Sequence, residues 1–458
     1  MGNHWRRPRG GFQQLTSQNP VSRDLAVENA RKSVRCARGP NRKFRLKLRY
    51  ALKMAHPSES EVRPATILVD VQLQKTPAEQ RDASLQELRQ LIETLRWDIV
   101  GTLTQKLQSP TAASLIGPGK LEELSELVKA PRKAESVVFD HELTPTQVRN
   151  IREATGVEVY DRPAVILEIF HRHARTKEAQ LQVELARLKY LAPRESVSGA
   201  KERKGGGRGG RGVSESFHEI ERRKVRDRIS ELQRELKAVH REQVERRRHR
   251  EGLPKVAIVG YTNAGKSSVM RALTASEVLV ADQLFATLDT TVRALQPETQ
   301  PRILVSDTVG FIRNLPHDLV ASFRSTLDEA LDASLLLHIV DAADPALRSQ
   351  IQVTKEVLEG IGAGKLRSLL ILNKIDAVDI SQKALLKKEF PKAIAMSALN
   401  PKDVEALHAR LVSFFLDNMA QVELVVPYGK EGVLADIRKN IHVLSESYDT
   451  RKRVFVSR

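Results

Sequence analysis

The stretch Gly260-Tyr261-Thr262-Asn263-Ala264-Gly265-Lys266-Ser267 follows an apolar run, Lys255–Val259, and precedes a helical pattern over Ser268–Thr274. Strand, glycine-bounded loop, Lys-Ser and helix in that order form a complete phosphate-binding P-loop. The glycines let backbone N–H groups turn inward around phosphate oxygens. Lys266 supplies a compact positive charge to the terminal phosphates, and the Ser267 hydroxyl is placed for Mg²⁺.

Downstream, Asp307-Thr308-Val309-Gly310 closes the apolar run Ile303–Ser306. An Asp there can hold Mg²⁺ through water, and the Gly310 N–H can meet a third phosphate and move when that phosphate leaves. Asn373-Lys374-Ile375-Asp376 follows the run Leu369–Leu372. The Asp376 carboxylate can accept from N1–H and the exocyclic amine of guanine, donors that adenine lacks. Ser397-Ala398-Leu399, after the run Ala393–Met396, fits a loop whose backbone meets the guanine oxygen. Three motifs, each closing its own strand, point to GTP.

Between the P-loop and Asp307 lies Leu284-Phe285-Ala286-Thr287-Leu288-Asp289-Thr290-Thr291. A GTP switch needs a threonine in this interval to close over Mg²⁺. Thr287, Thr290 and Thr291 are all candidates on spacing. The position after Gly310 is Phe311 rather than the glutamine that orients water in many GTPases. Slow intrinsic hydrolysis follows, with help expected from elsewhere in the chain or from a partner. Asn263 is a candidate for holding a monovalent cation, K⁺, against the phosphates.

The runs from Lys255 to Met396 alternate with helical patterns, as in a doubly wound α/β domain spanning 251–420. Upstream, the runs Ile67–Val71, Ile99–Leu103, Ser136–Asp140 and Val157–Tyr160 alternate with amphipathic stretches at Leu85–Leu95, Leu121–Val128 and Pro145–Ala154. They describe an N-terminal α/β domain, 65–175, with a largely parallel sheet. Segment 176–250 reads as an antiparallel helical hairpin. Leu181, Leu185 and Leu188 share one helical face, while Val225, Ile229, Leu232, Leu236 and Val239 recur at spacings of four and three. Between them Gly205-Gly206-Gly207-Arg208-Gly209-Gly210-Arg211-Gly212 should form a non-helical tip loop. Residues 421–458 form a small C-terminal α/β tail, with a strand at Val422–Val426 and a helix at Gly432–Leu444.

Composition narrows the partners. The 458 residues carry 75 basic and 57 acidic side chains, net +18, and a single cysteine, Cys36. One cysteine excludes an internal disulfide framework or a cysteine zinc cluster. No apolar run approaches the ~18 residues of a membrane span. The charge is concentrated. Residues 1–56 hold 14 basic and two acidic side chains, and residues 194–250 hold 18 against 10. Clustered positive charge on near-neutral domains suits a polyphosphate partner. Arg203, Lys204, Arg208 and Arg211 at the hairpin tip are the candidate RNA contacts. Residues 1–64 read as a basic flexible arm whose composition resembles a mitochondrial presequence, with no apolar secretory core after Met1.

Several further motifs carry a family resemblance. Leu115-Ile116-Gly117-Pro118-Gly119-Lys120, Phe139-Asp140-His141-Glu142-Leu143-Thr144-Pro145, Val159-Tyr160-Asp161-Arg162 and the run Ile166 to Leu191 are similar to the N-terminal domain of the HflX family of ribosome-associated GTPases. Phe285-Ala286-Thr287-Leu288-Asp289 resembles its switch I and Asp307-Thr308-Val309-Gly310-Phe311 its switch II. The resemblance covers about residues 66–450. It implies Thr287 as the Mg²⁺-side threonine, and Lys266, Thr287 and Gly310 as the catalytic machinery. It also implies binding to the large ribosomal subunit through the hairpin and splitting of stalled ribosomes under stress. In the loop, Arg211-Gly212-Val213-Ser214-Glu215 departs from the family's Arg-Gly-Pro-Gly-Glu. Alternatives are a large-subunit assembly GTPase without splitting activity and an RNA-binding protein with a vestigial G domain. A monomer in the bacterial cytoplasm is expected, with the mitochondrial matrix as the other compartment.

Overall fold

In the computed structural model, four parallel strands begin the described chain: β1 (Ala65–Leu73), β2 (Asp98–Leu107), β3 (Ser136–Phe139) and β4 (Glu158–Asp161), in the order β2-β1-β3-β4. The residues described are 63–73, 77–109, 111, 113–131, 133–198, 211–248, 252–275, 284–285, 291–313, 329–420, 422–427, 430–440, 443–449 and 454–457. All belong to one compact unit, Arg63–Arg458. The expected arm 1–64 therefore lies almost wholly outside the description.

Period-two alternation sends successive strand residues to opposite faces. Ile67, Val69, Val71, Val137 and Phe139 enter one buried cluster, with Leu124 and Ile151 from the helices α2 (Pro118–Lys129) and α3 (Pro145–Thr155). Leu68 and Val138 face the other way. They meet Leu88, Leu91 and Ile92 of α1 (Ala78–Thr94) and Ile166 and Phe170 of α4 (Arg162–His173). Local chemistry fixes the helix ends. Thr144 and Gln147 exchange side-chain and backbone hydrogen bonds at the start of α3, Pro145 occupies its first turn, and Gly156 ends it at φ +74°. Gly117-Pro118-Gly119-Lys120 is the entry to α2. The Gly117 N–H goes to Gln105 and Lys120 pairs with Glu123.

The hairpin is present as α5 (Lys177–Ser198) and α6 (Arg211–Arg248). Leu181, Leu185 and Leu232 are buried between the helices, with Leu188, Ile229, Leu236 and Val239 packed around them. Arg228 clamps Glu184 with two hydrogen bonds across the seam, at 2.9 and 3.1 Å. At 1.5 Å per residue, the 38 residues of α6 reach about 57 Å. One expectation is corrected. Arg211 and Gly212, read as loop, are the first residues of α6. Glycine's helix penalty is a backbone-entropy cost of only about 1 kcal/mol, which one residue at the start of a 38-residue helix does not decide. Arg203, Lys204 and Arg208 lie outside the described residues.

The second sheet has the order β10-β9-β8-β5-β7-β6. Its strands are β5 (Lys255–Gly260), β6 (Thr291–Ala294), β7 (Leu304–Asp307), β8 (Leu335–Asp341), β9 (Ser368–Asn373) and β10 (Ile394–Ala395). Only the edge strand β6 runs antiparallel, paired to β7. Helices α7 (Lys266–Thr274), α8 (Leu347–Gly360), α9 (Ile380–Glu389) and α10 (Pro401–Leu416) connect them. β5 lies between β7 and β8, where the strand order reverses and such sheets open a ligand crevice. At the C-terminus, β11 (Leu424–Pro427), α11 (Glu431–Asn440), β12 (Glu446–Asp449) and β13 (Val454–Ser457) form a small antiparallel sheet, order β11-β13-β12, with one helix. The sequence reading expected one strand there. The other two, Glu446–Asp449 and Val454–Ser457, are four residues each, too short to announce themselves.

Candidate nucleotide site

The loop after β5 is held between the β8 backbone and the Asn373 side chain, which leave no room for a β-carbon at either end. A β-carbon on Gly260 would lie 2.1 Å from the Ile339 carbonyl oxygen of β8. One on Gly265, at φ +89°, would lie 2.2 Å from the Asn373 side-chain nitrogen. Only glycine fits at either end. Asn263 between them adopts the left-handed conformation, φ +59°, and its side chain is exposed. The buried residues Thr262 and Ala264 flank it.

Lys266 opens α7 and is 6% exposed, with Nζ donating to the Tyr261 carbonyl oxygen at 2.7 Å. Burial pulls its ammonium down to about 8, against the nearby Asp307 carboxylate, which raises it. Asp307, at the end of β7, is fully buried and accepts from the Ser267 hydroxyl at 3.0 Å. Hydroxyl and carboxylate thus share one small, hard-oxygen seat of the kind Mg²⁺ takes. The Thr308 hydroxyl donates to the Ile258 carbonyl at 2.7 Å, which fixes the turn out of β7. A β-carbon on Gly310 would come within 2.9 Å of Lys266 Nζ, so this backbone lies directly over the loop. Phe311 is buried among Ala330, Leu336 and Leu358 and can serve only packing from there. Its backbone pairs with the loop: Phe311 N–H donates to Gly260 O at 3.1 Å and Thr262 N–H to Phe311 O at 2.8 Å.

The base-side motifs converge through Asn373, which is 1% exposed. Its amide nitrogen donates to Ala264 O at 2.9 Å, and its amide oxygen accepts from Ala398 N–H at 3.1 Å. One side chain therefore locks the phosphate loop to the Ser397–Leu399 loop. Leaving either buried group unpaired costs about 1–3 kcal/mol. Lys374, at φ +57°, pairs with Asp341 at 2.8 Å. The next three residues, Ile375–Ala377, form a single 3₁₀ turn that leaves Asp376 exposed. Ser397 N–H is held by Asp403, its hydroxyl accepts from Leu399 N–H, and Leu399 projects outward.

Switch I is described only in part. Ala286, Thr287, Leu288 and Asp289 lie outside the described residues. Leu284 and Phe285 are buried in a cluster shared with the N-terminal domain. The Phe285 ring stands edge-on to Phe170 of α4 at 4.5 Å, and its carbonyl contacts His173 Nδ1 at 3.0 Å. Val309 and Ile312 join the same cluster. Sequence reasoning missed the polar part of this junction. The Tyr261 hydroxyl donates to Glu87 of α1 at 2.5 Å and accepts from Arg313 N–H at 2.8 Å. Glu87 in turn pairs with Arg162, whose side chain is 1% exposed and also meets Asp140 at 2.7 Å. A cleft of about 610 Å³ lined by Leu253, Pro254, Asp332, Arg367 and Phe414 sits at the amino ends of β5 and β8, opposite the crevice end of the sheet.

Lys266 yields a prediction about pH. Its folded value near 8 lies below its ordinary 10.5. The folded chain therefore releases this proton earlier than the unfolded chain, and stability attributable to the group rises with pH between those values. Lys266→Met should be more stable than the parent at pH 7, measured by chemical unfolding without nucleotide. The gap should narrow as pH rises from 8 toward 10.5. A variant less stable at pH 7 would contradict the buried-charge reading.

Sequence comparison adds the family. A profile described as "GTP-binding GTPase N-terminal" matches residues 82–171, and "GTP-binding GTPase Middle Region" matches 173–250. "50S ribosome-binding GTPase" matches 255–374. The GTPase HflX of Gluconacetobacter diazotrophicus is 50% identical over 428 residues, covering 85% of this chain and 94% of that protein. The GTPase HflX of Escherichia coli is 40% identical over 349 residues, covering 75% and 82%. Among solved structures, a GTP-binding protein from Sulfolobus solfataricus in complex with GDP aligns with TM-score 0.42 at 27% identity, over 77% of this chain and all of that one. With GTP-binding geometry and full-length relatives in agreement, the chain belongs to the HflX family of GTPases, enzymes that hydrolyse GTP.

Proposed function

We propose that this GTPase is a nucleotide-controlled factor of the large ribosomal subunit that separates stalled ribosomes under stress. The observation that carries the nucleotide half is the meeting of Lys266, the Ser267–Asp307 pair, Gly310 and Asn373 around one loop. In this reading Gly260 to Ser267 wrap the phosphates with backbone N–H groups, and Lys266 neutralises the terminal pair. Ser267 and Thr287 are the direct Mg²⁺ ligands, with Asp307 acting through water. The ion supplies charge neutralisation between phosphate oxygens. Asp376 selects guanine, with Asn373, Lys374 and Ile375 forming the wall and Ser397 to Leu399 the backbone cradle. Thr287 and Gly310 bring switch I (Phe285 to Asp289) and switch II (Asp307 to Phe311) onto the third phosphate. Asn263, exposed on the loop, is the proposed K⁺ contact.

The ribosomal half draws support from the profile described as "50S ribosome-binding GTPase" and from the excess of basic residues in the hairpin segment. Arg203, Lys204, Arg208 and Arg211 would meet RNA phosphates. A bound factor separates subunits only by the difference in its affinity for the free and joined states. The work therefore comes from docking, and hydrolysis resets the factor. The domain scheme is a basic arm 1–64, an N-terminal domain 65–175, a hairpin 176–250, a G domain 251–420 and a C-terminal domain 421–458. The chain acts as a cytoplasmic monomer.

Phe311, packed in the core, cannot orient water, so that element comes from elsewhere in the chain or from a partner, and we assign it to the ribosome. Purified large subunits should raise GTP turnover about tenfold or more, equivalent to ~1.4 kcal/mol or more of barrier. Unchanged turnover would refute that role. The same assay in KCl should outpace NaCl at equal ionic strength, and equal rates would remove Asn263 and K⁺ from the scheme. With a non-hydrolysable GTP analogue, intact ribosomes should lose their monosome peak on sedimentation. A persistent monosome peak with the factor bound to free large subunits would mark an assembly GTPase instead.

A further inference from the structure

Tyr261 is the second residue of the phosphate loop, yet its side chain points away from the phosphates into the N-terminal domain. Tyr261 is 5% exposed, in one cluster with Val309 of switch II, Ile312 just beyond it, and Leu91, Ile166 and Phe170 of the N-terminal domain. Its hydroxyl is saturated: it donates to Glu87 and accepts from the backbone of Arg313. Burial and the adjacent Glu87 carboxylate push the phenol well above its usual range, so it keeps the proton this bond requires.

The polar contacts continue inward. Glu87 pairs with Arg162, and Arg162 meets Asp140 and the Ser84 carbonyl. One cation faces two carboxylates, so the second carboxylate depends on neutral donors: the Tyr261 hydroxyl for Glu87 and the Ser84 hydroxyl, at 2.7 Å, for Asp140. Asp161, adjacent to Arg162 in the chain, turns the other way. It accepts from Leu143 N–H at 3.0 Å, Ala164 N–H at 3.1 Å, Arg194 at 2.8 Å and the Tyr190 hydroxyl. Tyr190 and Arg194 belong to α5, the first helix of the hairpin. A continuous series of largely buried polar contacts and one peptide link thus joins Arg313, just beyond switch II, to the hairpin.

Among the described residues, Phe311 and Arg313 are tied to the phosphate loop by three hydrogen bonds, two between backbones at Phe311 and the third from Arg313 N–H to Tyr261. In this pose Gly310 lies so close to Lys266 that a β-carbon on it would come within 2.9 Å of Nζ. A third phosphate that sits on Lys266 and takes the Gly310 N–H must re-seat this backbone, while the Tyr261 hydroxyl stays fixed by Glu87. We propose that Tyr261 is a positioning residue whose hydroxyl couples switch II to the Glu87–Arg162–Asp161 chain, so that the third phosphate and the helical hairpin sense one another. Coupling of this kind is reciprocal: what weakens Glu87 against Tyr261 must also change the preference between GTP and GDP. The inference requires GTP binding and is independent of the ribosomal reading.

Contiguity alone does not establish energetic coupling, so the test is a double-mutant cycle. Affinities for GDP and for a non-hydrolysable GTP analogue are measured on the full chain, the parent against Tyr261→Phe, Glu87→Gln and both together. Tyr261→Phe should shift the affinity ratio toward the analogue by about fivefold or more. Glu87→Gln should shift it the same way, and the double variant no further than Tyr261→Phe alone. A hydroxyl that only braces the fold would lower both affinities together. An unchanged ratio, a shift toward GDP, or two effects that multiply would each overturn the proposal. Amide exchange at Leu143, whose N–H is held by Asp161, gives a second readout. The analogue should change that rate in the parent and leave it unchanged in Tyr261→Phe. No change in the parent would overturn the link to the hairpin.

Discussion

At Gly260 a β-carbon would strike the Ile339 carbonyl, and at Gly265 it would strike the Asn373 amide. Because neither glycine carries one, β5 can end flush against β8, and the loop can turn beneath Asn373 before α7 begins. Everything at the nucleotide site is measured from that placement. Lys266 is buried because the loop is tight. Ser267 meets Asp307 because α7 starts where β7 ends. The guanine-side loop is in register because Asn373 reaches both Ala264 and Ala398. A larger residue at Gly260 would displace the β8 backbone, and one at Gly265 would displace the buried Asn373 side chain.

The N-terminal domain is packed against this site. Its α4 presents Phe170 and His173 to the residues that enter switch I. Its α1 presents Glu87 to the loop itself. The buried Arg162 makes that second contact strict. A buried cation must keep its partners, and loss of one partner of such a group costs about 3–5 kcal/mol. Glu87 is therefore held in place before it reaches Tyr261. Asp161 and Arg162, consecutive at the end of β4, divide the work: Asp161 fastens the hairpin and Arg162 fastens the contact to the G domain.

Much of this was legible in the sequence. The apolar runs gave the central strands to within a few residues, because fully or half-buried strands leave an uninterrupted or alternating pattern. The seam of Leu181, Leu185, Leu188, Ile229, Leu232, Leu236 and Val239 announced the hairpin. The P-loop, the Asp307 turn and the Asn373 motif were readable because each needs particular residues after its own strand. The polar junction was not. Tyr261 and Glu87 are 174 positions apart, and a contact at that range leaves no periodic trace. Glu87 sits in α1 among exposed polar residues and reads as one more solvated charge. The edge strand β6 and the C-terminal strands β12 and β13 were missed because runs of four residues, each partly polar, give too little pattern. Arg211 and Gly212 were misassigned because glycine argues against helix on propensity, which is weak at a helix end.

The central claim is that a third phosphate, by drawing the two switches inward, sets the grip on the large ribosomal subunit. The direct measurement is equilibrium binding of the full chain to purified large subunits with GDP, with a non-hydrolysable GTP analogue and without nucleotide, at one fixed salt concentration. The account predicts binding about tenfold or more tighter with the analogue than in the other two conditions. Equal affinity in all three would contradict it.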